Sequence, residues 1–276
     1  MATRFLNRRS VLIAGGAGLA GAALGRAAPA AAATWETVLN GSFAGYATLE
    51  AAWNYRYPWG SDHNGSARMY ASVTDHNHVF LESPGVLAIR ATRISWNEGN
   101  SSRDPWLPIR YHSGAIHAKQ HVTVSDQFPN WEIKGEFQAP SARGAWPAFW
   151  LAGVLADRRQ QLAAGKRHPR VQGGRPELVQ HLQERERRLV QHGRRGVRPG
   201  AWHGYRAWIT KVNAADVDIH YYLDGRWVGQ HRGANFVNKP MWIIVNLQME
   251  GSSGAPGPTS ETLYRARNIY VGRTRA

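Results

Sequence analysis

Apolar and polar residues alternate along much of this chain. "GVLAIRATRI" (residues 85–94), "GAIHAKQHVTV" (114–124) and "WEIKGEFQA" (131–139) all repeat with a period of two. That period puts one side of an extended segment in a core and the other toward polar surroundings. The pattern returns in "YRAWITKV" (205–212), "DVDIHYYLDGRWVGQH" (216–231), "PMWIIVNLQME" (240–250) and "NIYVGRTR" (268–275). Turn-forming clusters separate the strands: "SPG", "NEGNSS", "SDQFPN" and "PSARG". Asp224-Gly225 predicts the turn of a hairpin. Many short strands at close spacing, with no helices between them, predict an all-β fold of the β-sandwich or jelly-roll type.

The pattern breaks after "GAWPAFWLAG" (144–153). Residues 151–201 contain no Ser, Thr, Asn, Ile, Met, Phe, Tyr or Trp. They are written in Ala, Gly, Val, Asp, Glu, Leu, Pro, His, Gln and Arg, with Lys166 as the one addition. Apart from lysine, every member of that set has a codon beginning with G or C. A GC-rich gene read one base out of frame produces such a set, because its G/C-rich third positions become first positions. The alternative is a basic insertion, with "ELVQHLQERERRLVQH" (177–192) as an amphipathic helix.

Charge is distributed in the same uneven way. The formal net charge is +15; residues 1–33 contribute +4 and residues 154–201 contribute +8, which leaves +3 for the rest. A basic balance points to a nucleic-acid or acidic partner. Its confinement to two atypical segments argues against that partner, and no nucleic acid is expected. The first segment carries the pair Arg8-Arg9, a short Gly/Ala-rich apolar run and an Ala-rich stretch that suits cleavage near Ala33. It reads as a twin-arginine-like export signal over residues 1–33, with a general secretory signal as the alternative. The expected product is a secreted monomer beginning near Thr34, free of the membrane once the signal is removed. The chain has no cysteine, which excludes disulfides, thiolate metal sites and cysteine nucleophiles.

There are 12 Trp, 10 Tyr and 7 Phe, none of them between 151 and 201. Flat aromatic rings pack against the apolar faces of sugars, so this content suggests a carbohydrate site as well as a core. Histidines raise a metal reading. "DHNHVF" (75–80) would put His76 and His78 on one strand face, but no third ligand is visible and surface histidines are the simpler expectation.

"YHSGAIHAKQ", "WEIKGEFQAPSARGAWPAFWLAG", "AWHGYRAWIT", "IHYYLDGRWVG" and "PMWIIVNLQMEG" together resemble glycoside hydrolase family 16, the group of laminarinases, lichenases, agarases and carrageenases. The likeness covers most of 34–150 and 201–273, within a single domain spanning 34–276. It implies a concanavalin A-like β-jelly roll and endo-acting hydrolysis of β-linkages in a polysaccharide, with retention of configuration. By the same resemblance, Trp146 and Trp150 would be sugar platforms, while Arg110 and Asn246 would line the cleft. His203 lies in the family's segment before a strand and is a further substrate-binding candidate. No cofactor is implied; a structural calcium is common in the family, but no site for one is evident in this sequence.

Retention requires two carboxyl groups roughly 5–5.5 Å apart, one acting as nucleophile and one as acid/base. The family supplies them as E-x-D-x-E or E-x-D-x-x-E, shortly after the WPAFWL-like stretch. Here that place is occupied by "RRQQLAAGKRHPRVQGG" (158–174), without the triplet. Shifting the reading by one base from Gln160 permits S-N-W-P-P-E-S-D-I-P-E-F-K-G. The expected acids then fall at Gly165, Arg167 and Arg170, where no carboxylate stands. The longer spacing suits a strand with a β-bulge, which returns both glutamates to one face. Three readings remain open: a glycanase that has lost its acids, a lectin-like carbohydrate binder, and a nucleic-acid-binding insertion. The nucleotide sequence over codons 150–202, read one base off, is expected to encode W-P-P-E-x-D-I-x-x-F. Compensating insertions or deletions are expected near codons 154–160 and 194–200. A gene whose other frames lack the triplet removes the frameshift reading.

Overall fold

Two sheets, antiparallel except for the parallel β3–β6 pair, face each other across an apolar core. The computed structural model describes residues 34–154, 198 and 200–276. In chain order the elements are β1 (Trp35–Gly41), helix α1 (Tyr46–Ala52), β2 (Trp53–Tyr55), β3 (Ala67–Met69), β4 (Val79–Ser83), β5 (Val86–Arg93) and β6 (Tyr111–Ser113). They continue with β7 (Ala115–Val122), β8 (Asn130–Gln138), β9 (Ala145–Gly153), β10 (Trp202–Lys211), β11 (Val217–Leu223), β12 (Arg226–Gly233), β13 (Met241–Met249) and β14 (Thr262–Thr274). The larger sheet runs β12-β11-β10-β8-β14-β5-β6-β3, with β1 also paired to β14 and β4 to β5. The smaller sheet runs β2-β7-β13-β9. This is the all-β sandwich that the alternation predicts.

Each alternating segment becomes a strand, and all but the last lie within one to three residues of the expected place. Asp224 and Gly225 form the β11–β12 turn, and both have positive φ (49° and 75°). That is the left-handed pair a tight hairpin requires, and Asp-Gly supplies it at low cost. Three expectations need correction. A helix does intervene: α1 has seven residues and buries Leu49, too short a run for periodicity to separate from a strand. β14 begins six residues before "NIYVGRTR": one long strand pairs with β5 over Thr262–Ala266 and with β1 over Ile269–Thr274, and its ladder with β8 shifts register between Arg267 and Tyr270. His76 and His78 precede β4 and share no strand face. His76 instead pairs with Glu50 at 3.0 Å, and His78 is buried with Nδ1 3.0 Å from the Arg90 carbonyl.

The core is tied across the sheets by rings. Phe137 of β8 meets Phe149 of β9 at 4.8 Å between centroids, and within its own sheet it touches Tyr264 and Tyr205 at 5.6 and 5.8 Å. All four side chains are buried. Strand β9 is buried on both faces from Ala145 to Leu151. Its odd-numbered residues face the larger sheet through Phe149. Its even-numbered residues face the other way and form the site described next. No helix among the described residues is long and apolar enough to cross a membrane.

Because Phe137 joins two sheets, Phe137→Ala is expected to leave a cavity that costs about 3–5 kcal/mol. Urea denaturation monitored by tryptophan fluorescence measures this. A loss under about 1 kcal/mol would mean that the sheets are held together elsewhere.

Candidate functional site

The even-numbered side chains of β9 and β13 share the outward face of the smaller sheet. The two strands pair without interruption from Ala145↔Met249 to Gly153↔Met241, placing Trp146 opposite Gln248 and Ala148 opposite Asn246. These four residues and Trp150 floor a cavity whose rim is made by His63 and Asn64. The period of two that buries Phe149, Val245 and Leu247 inward therefore sends these residues outward.

Trp150 is fixed from several sides. Its indole N–H donates to Asn246 Oδ1 at 2.8 Å. The His63 ring stacks on it at 5.6 Å and 19°, and Trp59 meets it edge-on at 5.9 Å. Trp59 in turn lies parallel to the buried Tyr57 at 5.2 Å. Trp146 packs under the turn that follows β13, where a Cβ on Gly251 would come 2.7 Å from its ring. Gln248 is clamped by backbone. Its Oε1 accepts from Ala67 N at 2.8 Å, and its Nε2 donates to the Ala67 carbonyl at 3.2 Å. A Cβ on Gly65 would stand 2.5 Å from the Gln248 side chain, so the chain passes close over the amide only because that residue is glycine. Further along the same face, Asn54 Nδ2 lies 3.2 Å from His117 Nε2, and His117 and His121 contact Trp242 edge-on. Burial pushes the pKa of both histidines down, which favours neutral rings at pH 7.

The walls are therefore aromatic and the floor carries amides. Rings of this kind meet the apolar side of a sugar, while Asn246 Oδ1 and both ends of the Gln248 amide are already bonded within the protein and hold the lining in place. No carboxylate lines the cavity among the described residues. The two acids within two residues of the lining in sequence, Asp62 and Glu250, are committed elsewhere. Asp62 accepts from Arg68 at 2.8 and 3.1 Å and from Ser102 N at 2.8 Å. Glu250 accepts from Arg110 and from Gly257 N, both at 3.0 Å. Burial would raise both carboxyls, but these donors outweigh it and hold each below its ordinary value. Neither is poised to give up a proton near neutral pH.

Of the residues singled out in the sequence, Trp146, Trp150 and Asn246 come together in the cavity. Arg110 lies just before β6 and reaches Glu250 rather than the cavity floor. His203 sits on β10 of the larger sheet, held by Asp224 at 2.8 Å and the Arg198 carbonyl at 3.2 Å. Gly165, Arg167 and Arg170 lie outside the described residues, as does the export segment. Among the described residues no group of three or more His, Asp or Glu could hold a metal ion.

Sequence reasoning missed His63, Asn64, Trp59 and Gln248. Gln248 was within reach, since it lies two residues from Asn246 on an alternating strand. The 57–64 loop was not, because nothing local says where a loop will fold back.

No family profile matches the chain. A galactan endo-β-1,3-galactanase from Flammulina velutipes is 35% identical over 239 residues, covering 84% of this chain and 88% of that protein. The chain belongs to glycoside hydrolase family 16. Solved structures of low identity share its fold. An endo-1,3-β-glucanase from Streptomyces sioyaensis superposes with a TM-score of 0.60 at 16% identity, over 90% of this chain and 100% of that one. SCLam, a non-specific endo-β-1,3(4)-glucanase of the family, gives 0.52 at 15% identity, over 88% and 94%. As a family-16 chain, the protein is by descent an O-glycosyl hydrolase.

Removing the partner of the Trp150 indole tests how this wall is built. Asn246→Ala is expected to cost about 1–3 kcal/mol by leaving a buried N–H unpaired, and to alter the near-ultraviolet circular dichroism of the tryptophans. An unchanged spectrum and midpoint would mean that the bond does not position the ring.

Proposed function

We propose that this chain descends from an exported, endo-acting family-16 hydrolase of a β-1,3-linked glycan, and that as written it binds the glycan without cleaving it. One observation carries the reading: the cavity on β9 and β13 is aromatic and amide-lined, and no acid lines it among the described residues. The curated galactanase relative favours a β-1,3-galactan, and the β-1,3-glucanase neighbours keep a β-glucan in view. Retention would come from a nucleophile and an acid/base at the spacing retaining enzymes share. The positions where the resemblance puts those acids are Gly165, Arg167 and Arg170, and none of the three can attack an anomeric carbon or protonate a leaving oxygen. Export rests on the Arg8-Arg9 segment, and a monomer is the expected state.

The lectin-like reading is favoured by the same geometry. An aromatic lining needs no carboxylate to meet the apolar face of a sugar.

Purified protein of this sequence is expected to release no reducing sugar from β-1,3-galactan, laminarin, lichenan, agarose or carrageenan. The same chain with its frame restored over codons 154–200 is expected to cleave at least one of them. Turnover by the unrestored chain would sink the proposal, and so would an inert, well-folded restored chain.

A further inference from the structure

The loop between β5 and β6 carries two exposed tryptophans, Trp96 at 58% and Trp106 at 50% relative exposure. A single exposed aromatic is ordinary. Two on one connection, residues 94–110, whose base bonds to the wall of an aromatic cavity, need a reason. Trp106 also has φ +53°, a left-handed conformation that a bulky side chain adopts only when its surroundings impose it.

Those surroundings are defined. Trp106 N donates to the Arg103 carbonyl at 2.6 Å, and Ser101 N to the Leu107 carbonyl at 2.8 Å, closing a tight turn that presents the indole. The base of that turn is bolted to the cavity wall at three points. Ser101 Oγ donates to the His63 carbonyl at 2.8 Å, Ser102 N to Asp62 Oδ2 at 2.8 Å, and Arg103 NH2 to the Trp59 carbonyl at 3.2 Å. His63 and Trp59 are the two rings that pack on Trp150. Trp106 is thus carried by a braced turn anchored to the same wall that flanks the sugar cavity. Trp96, at the other end of the loop, is set edge-on against His112 at 5.5 Å.

We propose that Trp106 is a stacking platform for a glycosyl unit of a long β-glycan, beyond the units held in the cavity. Trp96 is a second platform on the same loop. The ligand class is a neutral polysaccharide chain, because an indole takes the apolar face of a sugar ring and needs no charge. This rests on the reading of the cavity as a glycan site and adds a preference for length. Affinity should grow from short oligosaccharides to polymer, and the growth should depend on Trp106.

The test is binding by the full chain, using calorimetry with short β-1,3-linked oligosaccharides and affinity electrophoresis with laminarin and β-1,3-galactan. Trp106→Gly removes the ring and suits the positive φ, so folding is not put at risk; Trp106→Phe keeps a ring. The glycine variant is expected to bind polymer about tenfold more weakly, the size of one lost stack, with unchanged affinity for short oligosaccharides. The phenylalanine variant should keep most of the polymer affinity. Equal polymer binding by the glycine variant and the parent overturns the platform and leaves the cavity reading standing. Equal losses for short and long ligands also overturn it, because the residue would then act on the cavity. A parent chain that binds no glycan of any length overturns both.

Discussion

The structure depends on the pairing of β9 with β13. Nine consecutive residue pairs, from Ala145↔Met249 to Gly153↔Met241, hold these strands in one register. Both strands are buried on both faces over most of their length. A one-residue slip would turn Phe149 and Leu247 out of the core and drive Trp150 and Asn246 into it. The apolar contact of Phe149 with Phe137 opposes that slip from inside. The Trp150–Asn246 hydrogen bond opposes it from outside. The same register that closes the sandwich therefore builds the cavity floor, and neither can change without the other.

Around that floor, charge is kept away from the lining. Asp62 and Glu250 lie within two residues of the lining in the chain, yet each turns to an arginine and to backbone N–H groups. Arg68 also reaches Glu98, which in turn accepts from Tyr70 and pairs with His112. These ion pairs brace the loops at the rim, and among the described residues no carboxylate lines the cavity. A ring-lined site suits the apolar faces of a sugar. It cannot by itself transfer the proton that glycoside cleavage needs. In this family that chemistry comes from a strand that the sequence here spells without its acids.

Most of the sheet content could be read from the chain, because strand side chains alternate strictly and burial follows the alternation. "WEIKGEFQA" and "PMWIIVNLQME" announced their strands, and Asp224-Gly225 announced a turn. Helix α1 escaped because seven helical residues with a single buried leucine leave no periodic trace. The site was legible in part. Trp146, Trp150 and Asn246 stood out by residue type and family likeness, and they do share a cavity. Arg110 and His203 stood out in the same way. The fold gives Arg110 a carboxylate partner in Glu250. It puts His203 on the other sheet against the hairpin turn at Asp224.

Alternation and motif spacing are properties of neighbouring residues, so the sequence by itself determined the all-β class, the likeness to the family, and the fact that no E-x-D-x-x-E triplet is written after the WPAFWL-like stretch. What completes the cavity comes from far along the chain. His63 and Trp59 meet Trp150 about ninety residues later, and Ala67 clamps Gln248 across 181 residues. Contacts of that range depend on sheet register and loop closure, which no local pattern encodes. Only the tertiary structure could decide which aromatics form the core, which form the wall of a site, and which are held out toward solvent.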